Sequence, residues 1–174
     1  SWAGKAAKSN KLKIVEFESI GPGPFATMLL CDMGADVIRI SRSGNIQKGM
    51  DSITSRGRKI ISLNLKDPQD QEKAKALCAK ADVLIEGFRP QVLERLGLGP
   101  EDLHAINPKL IFARMTGWGQ TGPKAHLAGH DMNYISITGA LAAIGHSQDA
   151  APVPPLNLVG DYAGGSMYLI MGIL

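Results

Sequence analysis

Leu12-Lys-Ile-Val-Glu-Phe17, Pro24-Phe-Ala-Thr-Met-Leu-Leu-Cys-Asp-Met33 and Gly34-Ala-Asp-Val-Ile-Arg-Ile40 lie almost end to end, and their succession decides the fold. The first and last contain short β-branched runs that read as strands. The middle stretch carries apolar residues at helical spacing and stops at Gly34. The same alternation continues outward. Residues 60–65 read as extended, and Asp67-Pro68 opens a helix through Lys80, with Asp67 as its N-cap and Pro68 at its first position. Residues 82–85 are a strand, 90–96 a short helix ending at Gly97, 100–106 a further helix and 110–115 a further strand. Strands alternating with helices specify an α/β fold built on an open, mostly parallel sheet with flanking helices. Ligands of such sheets bind beyond the carboxyl ends of the strands. The loops 18–24, 41–59, 86–90 and 116–134 are therefore the expected builders of a site.

The chain has 174 residues, 44% hydrophobic and 20% charged, with a net charge of +3. That suits one core-forming domain over 11–174 behind a disordered or appended tail, 1–10. The basic residues are scattered rather than interleaved with aromatics, which argues against nucleic acid. No apolar run reaches the ~20 residues of a membrane span, and the polar opening is not a secretory signal. Cys31 and Cys78 sit in apolar helical patterns and read as reduced core thiols of a cytoplasmic-type protein. The run from Met167 to Leu174 is apolar and uncapped, as though cut mid-helix, so 11–174 is expected to be incomplete at its C-terminus.

Two segments carry chemistry: Ala128-Gly-His-Asp-Met-Asn-Tyr134 and Gly160-Asp-Tyr-Ala-Gly-Gly165. Each sets a proton-transfer side chain, His130 or Asp161, directly after a glycine. A histidine and a carboxylate held apart on one carbon can remove a proton from one face and return it to the other. Alone, Asp161 reads first as the N-cap of the final helix, and a donor role near neutral pH would need burial to raise its pKa. His104, His126 and His146 read as ordinary surface or loop histidines, and no Cys or His spacing fits zinc. The turn Ser19-Ile-Gly-Pro-Gly-Pro24 sits where a phosphate loop would, but its prolines remove donors, so a plain strand-to-helix turn is the better reading. Arg39, Arg42, Arg56, Arg58, Lys59, Lys66, Arg89 and Arg95 cluster after strands. They form either a solvated rim or a phosphate-binding edge for a nucleotide-type carrier.

Several motifs resemble the family III CoA-transferase superfamily in order and spacing. They are Gly21-Pro-Gly-Pro-Phe-Ala, Gly34-Ala-Asp-Val-Ile-Arg-Ile, Asn64-Leu-Lys-Asp-Pro, Glu86-Gly-Phe-Arg-Pro, Arg95-Leu-Gly-Leu-Gly-Pro, Asn107-Pro, Thr116-Gly-Trp-Gly-Gln-Thr-Gly-Pro and Gly160-Asp-Tyr-Ala-Gly-Gly. Residues 128–134 look like the α-methylacyl-CoA racemase branch, whereas the transferases are similar around Asp161 but lack the histidine. The resemblance implies a Rossmann-like large domain and no cofactor beyond CoA, which is part of the substrate. It implies that His130 and Asp161 perform 1,1-proton transfer through an enolate at the α-carbon of 2-methyl-branched acyl-CoA thioesters. Arg42, Leu63, Asn64, Leu65, Lys66, Arg89, Arg95, Gly129, His130, Asp131, Met132, Asn133 and Tyr134 would contact the CoA.

For the enolate oxygen, the N–H groups at a helix start, with the Asp161 amide leading, are the expected donors. Two alternatives stand beside this reading: CoA transfer with Asp161 as nucleophile, and a CoA-binding fragment without turnover. Family members are roughly twice this length. They form interlocked homodimers in which a second, smaller domain closes the partner's site and brings a further catalytic glutamate. A eukaryotic member would reside in mitochondria or peroxisomes.

Overall fold

The computed structural model describes residues 11–42, 53–145, 147 and 149–174, so the expectations for the 1–10 tail, for residues 43–52 and for His146 fall outside the described residues. The element order is β1 (Lys13–Phe17), α1 (Pro22–Asp32), β2 (Asp36–Ser41), β3 (Lys59–Ser62), α2 (Pro68–Cys78), β4 (Val83–Glu86), α3 (Val92–Arg95), α4 (Pro100–Ile106), β5 (Ile111–Arg114), α5 (Asp131–Ile137) and α6 (Ala140–Ala143). A π-helical segment, Leu158–Ser166, then runs into α7 (Met167–Ile173). The five strands form one sheet in the order β3-β2-β1-β4-β5, and every pairing is parallel. This is the open parallel sheet that the sequence alternation specifies, with the Rossmann-like architecture that the resemblance implies.

Val15 of β1 registers with Ile38 on one side and with Leu84 on the other, which puts β1 at the centre. Successive side chains of a strand point to opposite faces. Val15, Phe17, Ile40 and Leu84 accordingly pack with Ala74, Cys78, Leu93 and Leu103 of α2–α4. Ile14, Val37, Val83 and Ile85 face the other way, against Ala26 and Leu30 of α1 and Ile170 and Ile173 of α7. Both faces are covered, which explains why the strands read as nearly continuous apolar runs.

Local signals account for most boundaries. Asp67 caps α2 by accepting the Gln69 and Asp70 N–H groups at 2.8 and 3.3 Å. α1 starts at Pro22, two residues before the expected Pro24, because Gly21 takes φ 72° and lets both prolines sit in the first turn. α2 ends at Cys78, short of Lys80. One expectation fails outright: Asp161 opens no helix, but lies inside the π-helical segment. Cys78 is a buried thiol whose pKa burial pushes up to about 12, whereas Cys31 is only partly buried. Among the described residues, no helix is long and apolar enough to cross a membrane.

The chain leaves β1 for β2 on one side, while β4 flanks β1 on the other, so a topological switch point lies between β1 and β4. The loops after these strands meet closely. A Cβ on either Gly23 or Gly87 would come within 2.8 Å of the Ser19 side chain.

Candidate active site

A cleft of about 810 Å³ opens at this switch point. Its walls are Ser19–Pro22 after β1, Gly87–Pro90 after β4, Met115–Gly117 after β5, the 127–130 stretch with Tyr134, and the Asn157–Asp161 segment. Both His130 and Asp161 line it, as do Arg89 and Gly129. The structure thus brings the two candidate proton-transfer residues, 31 positions apart in the chain, to one cleft.

His130 is the N-cap residue of α5; its backbone N–H donates to Asn133 Oδ1 at 2.9 Å, and the residue is exposed and lines the cleft. The loop before it is fixed by aromatic packing. Trp118 Nε1–H donates to the Ala128 carbonyl at 3.2 Å, and its ring meets Tyr134 edge-on at 5.2 Å. Glycine is required where these rings crowd the backbone. A Cβ on Gly129 would lie 2.7 Å from both Trp118 Nε1 and Tyr134 Cε1, and one on Gly117 would collide with the Tyr134 hydroxyl.

Asp161 sits against the turn after β1: a Cβ on Gly21 would be 3.6 Å from its Oδ2. Burial, then the neighbouring charge of Asp131, raises the Asp161 carboxyl above its ordinary range, while His130 and a hydrogen bond from Asn157 pull the other way. Its backbone N–H is already engaged. Asp131 Oδ2 accepts both the Gly160 and the Asp161 N–H, at 2.6 and 2.7 Å. The Asp161 amide is therefore not available to an enolate oxygen, which overturns that expectation.

A second, smaller groove of about 380 Å³ shares Phe88 with the cleft. Arg42, Leu63, Asn64, Leu65, Lys66 and Arg95 line it, beside Phe17, Glu18 and Val92. The sequence had singled out the first six. Glu18 and Phe88 were missed, although each follows a strand at its carboxyl end and was findable by that rule. Of the 128–134 run, Ala128, Gly129, His130 and Tyr134 reach the cleft. Asp131 turns inward, while Met132 and Asn133 line neither cavity.

Half of the expected basic rim is structural instead. The Arg39 side chain is buried, donating to Ser55 and pairing with Glu18 at 3.4 Å. Arg56 pairs with Asp32, Lys59 with Asp36, and Arg58 with Glu16 inside the protein. Arg42, Lys66, Arg89 and Arg95 remain at the two cavities.

Residues 10–174 match the CoA-transferase family III model, and the chain belongs to that family. It is similar to the alpha-methylacyl-CoA racemases of Mus musculus and Homo sapiens, each 44% identical over 163 residues, which is 94% of this chain and 42% of either racemase. A crystal structure of a CAIB/BAIF family protein from Brucella suis superposes with a TM-score of 0.84 at 31% identity, covering 93% of this chain and 47% of that one. The chain thus spans less than half the length of these relatives.

Proposed function

We propose that this chain supplies the proton-transfer cleft and CoA groove of a racemase acting on 2-methyl-branched acyl-CoA thioesters. The observation that carries the reading is that His130 and Asp161 line one cleft, which adjoins a cation-lined groove across Phe88. In one direction the His130 imidazole removes the α-proton, and the C–H electron pair moves into the thioester carbonyl to give an enolate. The Asp161 carboxylic acid then returns a proton to the opposite face, and the reverse direction exchanges the roles. The raised affinity of Asp161 for its proton favours the acid form this requires. With its N–H engaged by Asp131, the Asp161 amide is not counted among the donors to the enolate oxygen.

Arg42, Lys66, Arg89 and Arg95 serve the CoA phosphates, with Leu63–Leu65 along the groove wall. The reaction calls for no cofactor, since CoA is part of the substrate. The assembly that completes the site is an interlocked homodimer. The test is incorporation of deuterium from D₂O at the α-carbon of a 2-methylacyl-CoA by the complete gene product containing this sequence. Exchange abolished in both His130→Ala and Asp161→Ala supports the reading, and an active enzyme that exchanges nothing rejects it.

The family's membership favours one second reading, CoA transfer. There the Asp161 carboxylate attacks the thioester and expels the CoA thiolate, leaving a mixed anhydride; the thiolate then attacks the aspartyl carbonyl and releases the donor carboxylate, and an acceptor carboxylate takes the CoA from the resulting aspartyl thioester by the same two steps in reverse. CoA transfer between carboxylates that survives loss of His130 selects it. Tight CoA binding by the 174-residue chain without any turnover would mark it as a binding fragment.

A further inference from the structure

Asp131 follows His130 directly, yet its side chain faces away from the cleft. It is 5% exposed and walls neither cavity. Its Oδ2 takes two backbone N–H groups, those of Gly160 and Asp161, while its Oδ1 is buried without a hydrogen-bond partner. A carboxylate placed in the interior with one oxygen unsatisfied is unfavourable to folding. It is held there against that cost, and what it grips is the segment that bears Asp161. Hydrogen bonds to a charged acceptor are short and strong, and both of these are at the short end. Gly160 is shaped to the contact: a Cβ there would stand 2.9 Å from Oδ2 and 3.2 Å from the Asp131 carbonyl oxygen.

We propose that Asp131 is a positioning residue for proton transfer: by clamping the Gly160 and Asp161 amides it fixes the Asp161 carboxyl relative to His130. The path from one acid/base residue to the other is then a single peptide unit, one short side chain and one hydrogen bond, with no flexible loop in between. The Gly160 and Asp161 N–H groups lie in the first turn of the π-helical segment, where no carbonyl of the segment can accept them, and Asp131 Oδ2 satisfies both. Its charge acts as well. Around the Asp161 carboxyl stand His130, Asp131 and Tyr134 of the α5 segment, the Asn157 side chain and the Gly21 turn. Of these, the negative charge of Asp131 is the one that favours keeping the proton on Asp161.

The consequence for turnover rests on the racemase reading; the clamp does not. Two variants separate geometry from charge. Asp131→Asn can present its amide oxygen where Oδ2 stands and keep both N–H bonds while losing the charge. Asp131→Ala loses both. Three measurements on the complete gene product are needed: α-proton exchange, CoA affinity, and the ¹³C titration of the Asp161 carboxyl. Asp131→Ala is expected to lose on the order of tenfold to a hundredfold in kcat with KM nearly unchanged. Asp131→Asn is expected to retain more of kcat and to move the Asp161 midpoint and the matching limb of the pH–rate profile to lower pH. A folded Ala variant with wild-type kcat, or an Asn variant whose Asp161 midpoint does not move, overturns the proposal. Absence of exchange in the wild type together with a shifted Asn midpoint rejects the racemase reading and leaves the clamp standing.

Discussion

Glu16 and Arg58 form an ion pair in which both side chains are wholly withdrawn from solvent, with Oε2 and Nη1 3.2 Å apart. Glu16 lies on the central strand β1, and Arg58 also donates to the Pro24 carbonyl in α1. The pair therefore pins the chain just before β3 to the strand and helix that frame the switch point. Burial weakens the hold of Arg58 on its proton, and the charge of Glu16 offsets part of that effect. Removing one partner takes away the opposite charge at 3.2 Å while the other stays buried. Arg58→Ala should cost about 3–5 kcal/mol in urea unfolding, and the double replacement Glu16→Leu/Arg58→Met should recover most of that loss. A double variant as unstable as the single one would show that the pair contributes more than charge balance.

Gly117 tests the aromatic wall of the cleft. A methyl there meets the Tyr134 hydroxyl first, with ring carbons Cζ and Cε1 at 3.0 and 3.1 Å. Gly117→Ala should push Tyr134 off Trp118 and destabilise the loop before His130 by about 1–3 kcal/mol. Tyr134→Phe removes the hydroxyl from the collision, so the double variant should be more stable than Gly117→Ala alone in thermal unfolding. Additive losses would place the strain elsewhere.

Most of the sheet was legible because its information is local. The β-branched runs at 12–17 and 36–40, the Gly34 stop and the Asp67-Pro68 cap act through neighbouring residues, and the structure follows them to within a few positions. His130, Asp161 and the groove residues were legible through motif resemblance, and the switch-point geometry then gathers them. What was not legible depends on distant contacts. Leu158-Val159 followed by small residues looks like an ordinary helix start, and the π-helical winding accompanies a grip from Asp131 some thirty positions back. Likewise, Arg39 and Arg58 look like rim cations until Glu18 and Glu16, on or just after an interior strand, draw them inward.

Glu86 makes stability fall as pH rises. It ends β4, is 3% exposed, and burial pushes its pKa from 4.5 up to about 7, against the Phe88 N–H bond at 2.7 Å and the Arg114 guanidinium, and with Glu94 adding to the rise. The folded state thus holds this proton more tightly than the unfolded state. Its stabilising contribution is complete below about 4.5 and is lost as the pH climbs through about 7. The full span corresponds to about 3 kcal/mol. Glu86→Gln carries no such proton, so the difference in urea midpoint between variant and wild type should widen in the variant's favour from below about pH 5 to above about pH 8. A constant difference would mean that Glu86 stays ionised throughout.

The basic groove offers a charge test independent of turnover. Arg42, Lys66 and Arg95 line it, and one carboxylate, Glu18, stands among them, accepting the Arg42 N–H at 2.9 Å and facing Arg39. A CoA-like polyanion should gain from each cation and lose from Glu18. Arg95 is exposed, so its attraction is screened by salt and modest in size. Arg95→Ala should weaken CoA binding roughly threefold to tenfold at low ionic strength and much less in ~1 M salt. Glu18→Gln keeps a carbonyl oxygen for the Arg42 N–H while removing the charge, so it should tighten CoA binding. Because Glu18 also balances buried Arg39, the same variant should be less stable than wild type. Calorimetric titration with CoA and a parallel unfolding curve read the two effects separately. Tighter binding at lower stability is the signature of a carboxylate kept for the fold at the expense of the ligand, whereas weaker binding would place Glu18 among the groups that hold CoA.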